Sequence, residues 1–204
     1  MMKIKNVFKH FGKICTHKYW VFHYCNKLGI PMQGIVHDLS KFSPTEFWES
    51  VKYYSGTSSP IDASKKANGY SNAWLHHKGQ NKHHYEYWQD NFDKGGQALL
   101  IPYNYTVEML CDYLGAGRAY NGKNFTYEKE YTWWVNKKSK GIAMHPVQIR
   151  FFDVVMMYLN EEKTLPAETQ LKITYDLCYR TYQDTSEITI EDVLGIYDIM
   201  HDYH

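Results

Sequence analysis

Apolar residues recur along the chain at helical spacing, and stretches that alternate apolar with polar residues are almost absent, so the pattern predicts an all-α fold. Trp20, Tyr24 and Leu28 share one stripe of a first helix expected from Ile14 to Leu28, ended by Gly29 and Pro31. A short second helix leads into Ile35-Val36-His37-Asp38-Leu39. Ser43-Pro44-Thr45-Glu46 reads as an N-cap, a proline at the first helical position and a glutamate at the third, a capping box opening a helix that reaches Tyr53 or Tyr54. Ser55 to Gly69 is rich in Ser, Gly, Pro and Asp and reads as an exposed loop. Ala73-Trp74-Leu75-His76-His77 is followed by a break at Gly79, and Asn81 is placed to cap a helix from Lys82 to Phe92. Beyond Gly95-Gly96 and Pro102, Thr106 is expected to open a helix to Tyr120 with Leu110 and Leu114 on one face. Further helices are expected over Tyr127–Lys138, Pro146–Leu159, Pro166–Tyr182 and from Ile190 onward, the last capped by Thr189 with Asp192 in its first turn. The expected organisation is a metal-binding helical core over residues 1–122, with the helices of residues 123–204 packed on it within the same domain.

Composition narrows the class of protein. At 204 residues, 44% hydrophobic and 22% charged, the chain is long and apolar enough for a globular domain and excludes a disordered or collagen-like one. Lys+Arg number 23 against 22 Asp+Glu, a net charge of +1. No strong field draws the whole molecule to nucleic acid or anionic membrane, so neither non-specific nucleic-acid binding nor membrane association is expected. Cys15, Cys25, Cys111 and Cys178 form no CxxC pair, which fits a reduced, cytoplasmic setting. Lys3, Lys5, Lys9 and Lys13 break up the start before a signal-peptide run develops, and no stretch approaches the roughly 20 apolar residues of a membrane span.

The surplus is histidine, with eight of the 11 before residue 85. Adjacent His37 and Asp38 offer a nitrogen and an oxygen ligand to a divalent metal. Asp112 stands among Met109, Leu110, Cys111 and Leu114, where a buried charge needs a partner or a metal. His17 alone reads as a surface histidine near Lys13 and Lys18. On a helix, neighbouring side chains point about 100° apart, so one member of each doublet, His76-His77 and His83-His84, is expected to face a common site. His77 is preferred for its place at a helix end, and the choice between His83 and His84 stays open. Glu46 is left out because the capping box accounts for it. His10, His23, His145, His201 and His204 read as surface or capping histidines. Trp74, Trp88, Trp133 and Trp134 read as core and rim packing, with a base-stacking pocket as the alternative.

The order His, His-Asp, His, Asp on successive helices resembles the HD-domain superfamily of metal-dependent phosphohydrolases over about the first 120 residues. The runs HDLSKFSPTEF and AWLHHKGQNKHHYEYW resemble an uncharacterised bacterial and phage family within or near it. The resemblance implies an HD-domain-like helical bundle with additional C-terminal helices. It also implies one or two divalent metal ions (Mn, Fe, Co, Ni, Zn or Mg), the first held by His17, His37, Asp38 and Asp112. Asp38 would bridge to a second, to which His77 and one of His83 or His84 are added. Lys41 matches the lysine of the HDxxK form and would act with Asp38 in catalysis by holding a phosphoryl oxygen. His76 and Arg118 are outer candidates. Six residues beyond Asp112 turn a helix through about 600°, which leaves Arg118 off the ligand face. The implied reaction is hydrolysis of a phosphate ester or anhydride, with a small nucleotide as partner, by metal-activated water. The short interval from His17 to His37 and the lack of a glycine-rich continuation after His77 argue against cyclic dinucleotides. Two other readings keep the same residues: a di-iron oxygenase, and a non-catalytic binding protein stabilised by metal.

Overall fold

Helix punctuation in the sequence is used much as written in the computed structural model, which describes residues 4–203 except 92 and 94. Ten α-helices follow one another among the described residues: α1 (Ile4–Lys27), α2 (Pro31–Val36), α3 (Pro44–Lys52), α4 (Pro60–Asn68), α5 (Asn72–Gln80), α6 (Tyr103–Asn121), α7 (Tyr127–Ser139), α8 (Pro146–Glu162), α9 (Glu168–Thr185) and α10 (Ile190–Asp202). Among the described residues there is no β-strand, only an isolated bridge between Gln89 and Ala98. Prolines occupy the first positions of α2, α3, α4 and α8, where a missing N–H costs nothing. Ser43, Thr126 and Thr189 accept backbone N–H groups at the starts of α3, α7 and α10, and the His145 ring does the same for α8. Gly29 (φ +78°) carries the chain out of α1 through the left-handed region.

Several expected boundaries are corrected. α1 starts at Ile4 rather than Ile14, because residues 4–13 contain no breaker stronger than Gly12. It buries His10, which is therefore not a surface histidine. The stretch expected as a loop over 55–69 contains α4, with Pro60 at its start, Asp62 in its first turn and Gly69 (φ +82°) at its end. α5 runs through Gly79 without a break. Among the described residues no α-helix lies between Asn81 and Pro102: the chain makes a turn and a 3-10 turn over Tyr85–Trp88, and the expected end at Phe92 lies outside the described residues. α6 begins at Tyr103 after Pro102, and Thr106 sits inside its first turn, donating to Ile101 and Pro102 carbonyls. His204 lies outside the described residues.

α6 is the central helix. It packs against α1 and also meets α7 and α9, while α8 lies against α7, α9 and α10. One apolar cluster runs from Val21 of α1 through Leu110 and Leu114 of α6 and Phe151 of α8 to Met200 of α10. On the other side of α1, α3 packs against α4 and α5. The approach of α1 to α6 depends on a glycine, since a Cβ at Gly115 would lie 2.6 Å from Val21 Cγ2 and 3.1 Å from Val21 N. Gly115 lies about one turn beyond Asp112, and Val21 one turn beyond His17, so this close contact also sets the spacing of those two side chains.

Gly115→Ala should therefore cost about 1–3 kcal/mol of stability in chemical denaturation. Gly79→Ala, where a Cβ meets nothing within 4 Å, should be neutral or stabilising. A second expectation concerns Glu130 of α7, which is 5% exposed. Burial pushes its carboxyl up to about 7 against the opposing charge of Arg118. An acid raised in the folded state stabilises the fold below its unfolded value of 4.5, and that stability is lost as pH rises through about 7. Glu130→Gln should flatten this dependence and stabilise the protein at pH 8 by on the order of 2 kcal/mol, read from denaturation curves at pH 5 and pH 8.

Candidate metal centre

The site is assembled from five places in the chain. α1 contributes His17, and α6 contributes Asp112 together with Glu108 one turn earlier on the same face. His37 caps the C-terminus of α2, and the next residue, Asp38, adopts a left-handed conformation (φ +54°) before a 3-10 turn over Leu39–Phe42. On a continuous helix the two side chains would diverge, but the reversal at Asp38 turns both inward and leaves His37 Nε2 3.2 Å from Asp38 Oδ2. Lys18 of α1 holds this reversal by donating to the carbonyls of Ile35 and His37. α5 contributes His77, and the turn after it contributes His83 and His84.

His17, His37, Asp38 and Asp112 form one group. His17 Nε2 lies 3.0 Å from Asp112 Oδ1, 3.3 Å from Asp38 Oδ2 and 3.3 Å from His37 Nε2, and His37 Nε2 lies 3.4 Å from Asp112 Oδ1. Ligands about 2.1 Å from a shared ion lie about 3.0 Å apart in an octahedral arrangement and about 3.4 Å apart in a tetrahedral one. The observed separations fill that interval, so this group can hold a metal ion.

Asp38, His77, His83 and His84 form the second group. Here the other carboxylate oxygen is used: Asp38 Oδ1 lies 3.3 Å from His77 Nε2 and 3.5 Å from His83 Nε2, and His84 Nε2 lies 2.8 Å from His77 Nε2. Asp38 Oδ1 and His83 Nε2 are both buried with no hydrogen-bond partner. An unpaired lone-pair donor facing another at this distance is costly unless a cation stands between them. The donor set therefore fits a second ion, with Asp38 shared between the groups.

Residues 6–157 match the Family of unknown function (DUF5662). The chain belongs to this family. The match spans every residue of both groups, and no HD-domain match accompanies it. No curated protein and no solved structure matches the chain.

Two glutamates of the DUF5662 chain orient the imidazoles. Glu108 Oε1 accepts from Nδ1 of His37 at 2.9 Å and of His83 at 3.0 Å. Glu46 accepts from Nδ1 of His77 and of His76, both at 2.7 Å. A proton on Nδ1 leaves the Nε2 lone pairs of His37, His77 and His83 facing the centre. Glu46 is thus not a capping-box residue: Ser43 caps its backbone N–H, but its carboxylate reaches α5 instead of returning to Ser43. Glu108 was not among the candidates, although its spacing of four from Asp112 among apolar residues was a usable sign.

The electrostatics favour cation binding. Burial opposes the charge on Asp38 and Asp112, but His37 and Lys41 around the first, and His17 and His37 beside the second, hold both carboxyls well below the usual range. Burial also opposes charge on His37, yet Asp38, Asp112 and Glu108 outweigh it and raise its affinity for a proton. Carboxylates that stabilise a proton there stabilise a metal in its place. Burial, reinforced by neighbouring imidazoles, keeps His83 and His84 neutral, the state that ligates.

The remaining candidates divide. Lys41 is not carried on a continuation of α2, but the 3-10 turn still brings its ammonium onto Asp38 Oδ2. His76 turns outward on α5 and touches the centre only through Glu46. Arg118 stands away from both groups: its Nε donates to Tyr24 Oη at 3.0 Å, and its guanidinium lies over the Phe125 ring at 4.0 Å. α6 turns it away from Asp112, as its spacing of six residues requires.

Glu108→Gln and Glu46→Gln should each lower metal affinity about 10- to 100-fold without unfolding the chain, measured by competition with a chromogenic chelator. Loss from Glu108→Gln should be felt in both groups, since His37 and His83 belong to different ones.

Proposed function

We propose that this DUF5662 chain is a two-metal phosphohydrolase of the HD-like kind, acting on a phosphate ester or anhydride of a small nucleotide. The observation that carries the reading is Asp38, which presents one oxygen to each donor group behind a cavity of about 250 Å³ lined by its partners Lys41, His17 and His77 and by His84 and Asp112. Bound divalent ions would supply a water acidic enough to lose its proton near neutral pH and positive charge for phosphoryl oxygens. His17, His37, Asp38 and Asp112 would hold one ion, and Asp38, His77, His83 and His84 the other. Lys41, already poised on Asp38, binds a phosphoryl oxygen and offsets the charge that develops on it. Glu46 and Glu108 keep the ring nitrogens in the ligating tautomer throughout. A closed structural site would need no cavity beside it, and this donor set has one.

Protein purified without chelator should carry one to two equivalents of metal by elemental analysis. After chelation and reloading with Mn, Co, Ni, Fe, Zn or Mg, it should hydrolyse members of a nucleotide and phosphoester panel. Asp38→Asn should lose metal and reduce activity by more than about 100-fold. Full metal retention and activity in that variant would sink the proposal, and a response to iron alone with oxygen uptake would favour the oxygenase.

A further inference from the structure

α1 runs along the cavity, and His10, Lys13, Ile14 and His17 all line it, as their spacing on one helical face requires. Seven residues at 1.5 Å each place His10 about 10 Å along the axis from His17 and its metal group. His10 is 7% exposed, with its ring centroid 5.4 Å from that of Phe47 and 5.6 Å from that of Tyr54. Its Nδ1 is buried and has no hydrogen-bond partner. A polar ring committed to a cavity wall without a partner is unusual, and one supplied by a ligand accounts for it. Burial, and then the charge of Lys41, lower His10 to about 4. The ring is therefore neutral at physiological pH and offers one N–H and one lone pair, suited to a hydroxyl, amide or ring nitrogen rather than to phosphate.

The walls also include Ile14, Trp74, Ala116, Ala119 and Tyr120, with Glu46, Ser50 and Ser59 as polar members. The lysines lining the cavity among the described residues are Lys13 and Lys41. Lys13 is engaged, its Nζ donating to the Ala119 carbonyl at 2.7 Å and lying 5.1 Å from the Tyr120 ring centroid. One phosphoryl group at the metals is matched by them and by Lys41. Additional phosphates would find no further free lysine on the walls and would face the Glu46 carboxylate.

We infer that His10 determines specificity at the far end of this cavity, and that the ligand is a phosphate monoester about 10 Å long with a neutral, ring-bearing body whose hydrogen-bonding group meets His10. This rests on the phosphohydrolase reading and narrows it to monoesters.

The test compares wild type with His10→Phe, which keeps the ring's bulk without its hydrogen bonds, and with His10→Gln, which keeps a donor and an acceptor. Probes are phenyl phosphate, the common nucleoside 5′-monophosphates and 5′-triphosphates, and the phosphate-free nucleosides. The metal-loaded protein should prefer a monophosphate to its triphosphate. His10→Phe should lower kcat/KM for that monophosphate about 10- to 100-fold, with partial recovery in His10→Gln. Metal content and phenyl phosphate hydrolysis should stay within about twofold of wild type, because the unsubstituted ring of that ester offers His10 no hydrogen-bonding group. By calorimetry the matching nucleoside should bind wild type and not His10→Phe. Hydrolysis that prefers triphosphates, or that His10→Phe leaves equal for all substrates, overturns this inference and leaves the phosphohydrolase standing. Nucleoside binding that requires His10 without any hydrolysis overturns the phosphohydrolase and the monoester class, while His10 keeps its recognition role. Neither binding nor hydrolysis overturns both.

Discussion

A carboxylate with no exposure to water stands at residue 38, and the surrounding structure is arranged to make it tolerable. Ionised and isolated, such a group would cost several kcal/mol to bury. Here it is met by His17 and His37 on one oxygen, by His77 and His83 near the other, and by the Lys41 ammonium. A left-handed backbone at Asp38 makes this crowding possible by turning a residue and its neighbour to the same side. That conformation is uncommon outside glycine, and aspartate is among the residues that accept it most readily.

The rest of the architecture serves that geometry at increasing distance. Lys18 ties the reversal to α1, and Gly115 lets α1 approach α6 closely enough for His17 to reach Asp112. Glu46 and Glu108 stand behind the imidazoles and decide which nitrogen carries the proton. The apolar cluster from α1 to α10 supplies a rigid frame, so the side chains are positioned by helices whose own freedom has been removed by packing. His10 belongs to the same logic one helical stretch further out, on the helix face that also carries His17.

How far the candidate site could be read in advance depended on one local rule. Neighbouring side chains diverge by about 100° on a helix, and on α5 the rule holds: His77 turns inward and His76 outward. It does not apply where no regular helix exists. His83 and His84 lie in a turn, so both approach the second group, and the reversal at Asp38 brings it together with His37. The capping pattern at Ser43 gave the start of α3 correctly and hid Glu46, because the glutamate's backbone serves the cap while its carboxylate serves α5. His10 lies in the part of α1 ahead of Ile14, where no cap residue marks a helix start, so its burial has no local sign in the chain.

The all-helical class, most helix ends and the set of histidines and aspartates able to bind a cation are legible in the chain alone. These depend on periodicity, on Pro, Gly, Ser and Thr at the helix ends, and on donor chemistry, all of which act within a few residues. The sharing of one aspartate between two donor groups, the place of Glu46 and Glu108 behind their ligands and the aromatic surroundings of Arg118 arise only once the helices are packed. Those relations join α1, α2, α5 and α6 across long separations in sequence, and they are set by helix packing and by one left-handed residue. No local pattern encodes the distance between two side chains on different helices.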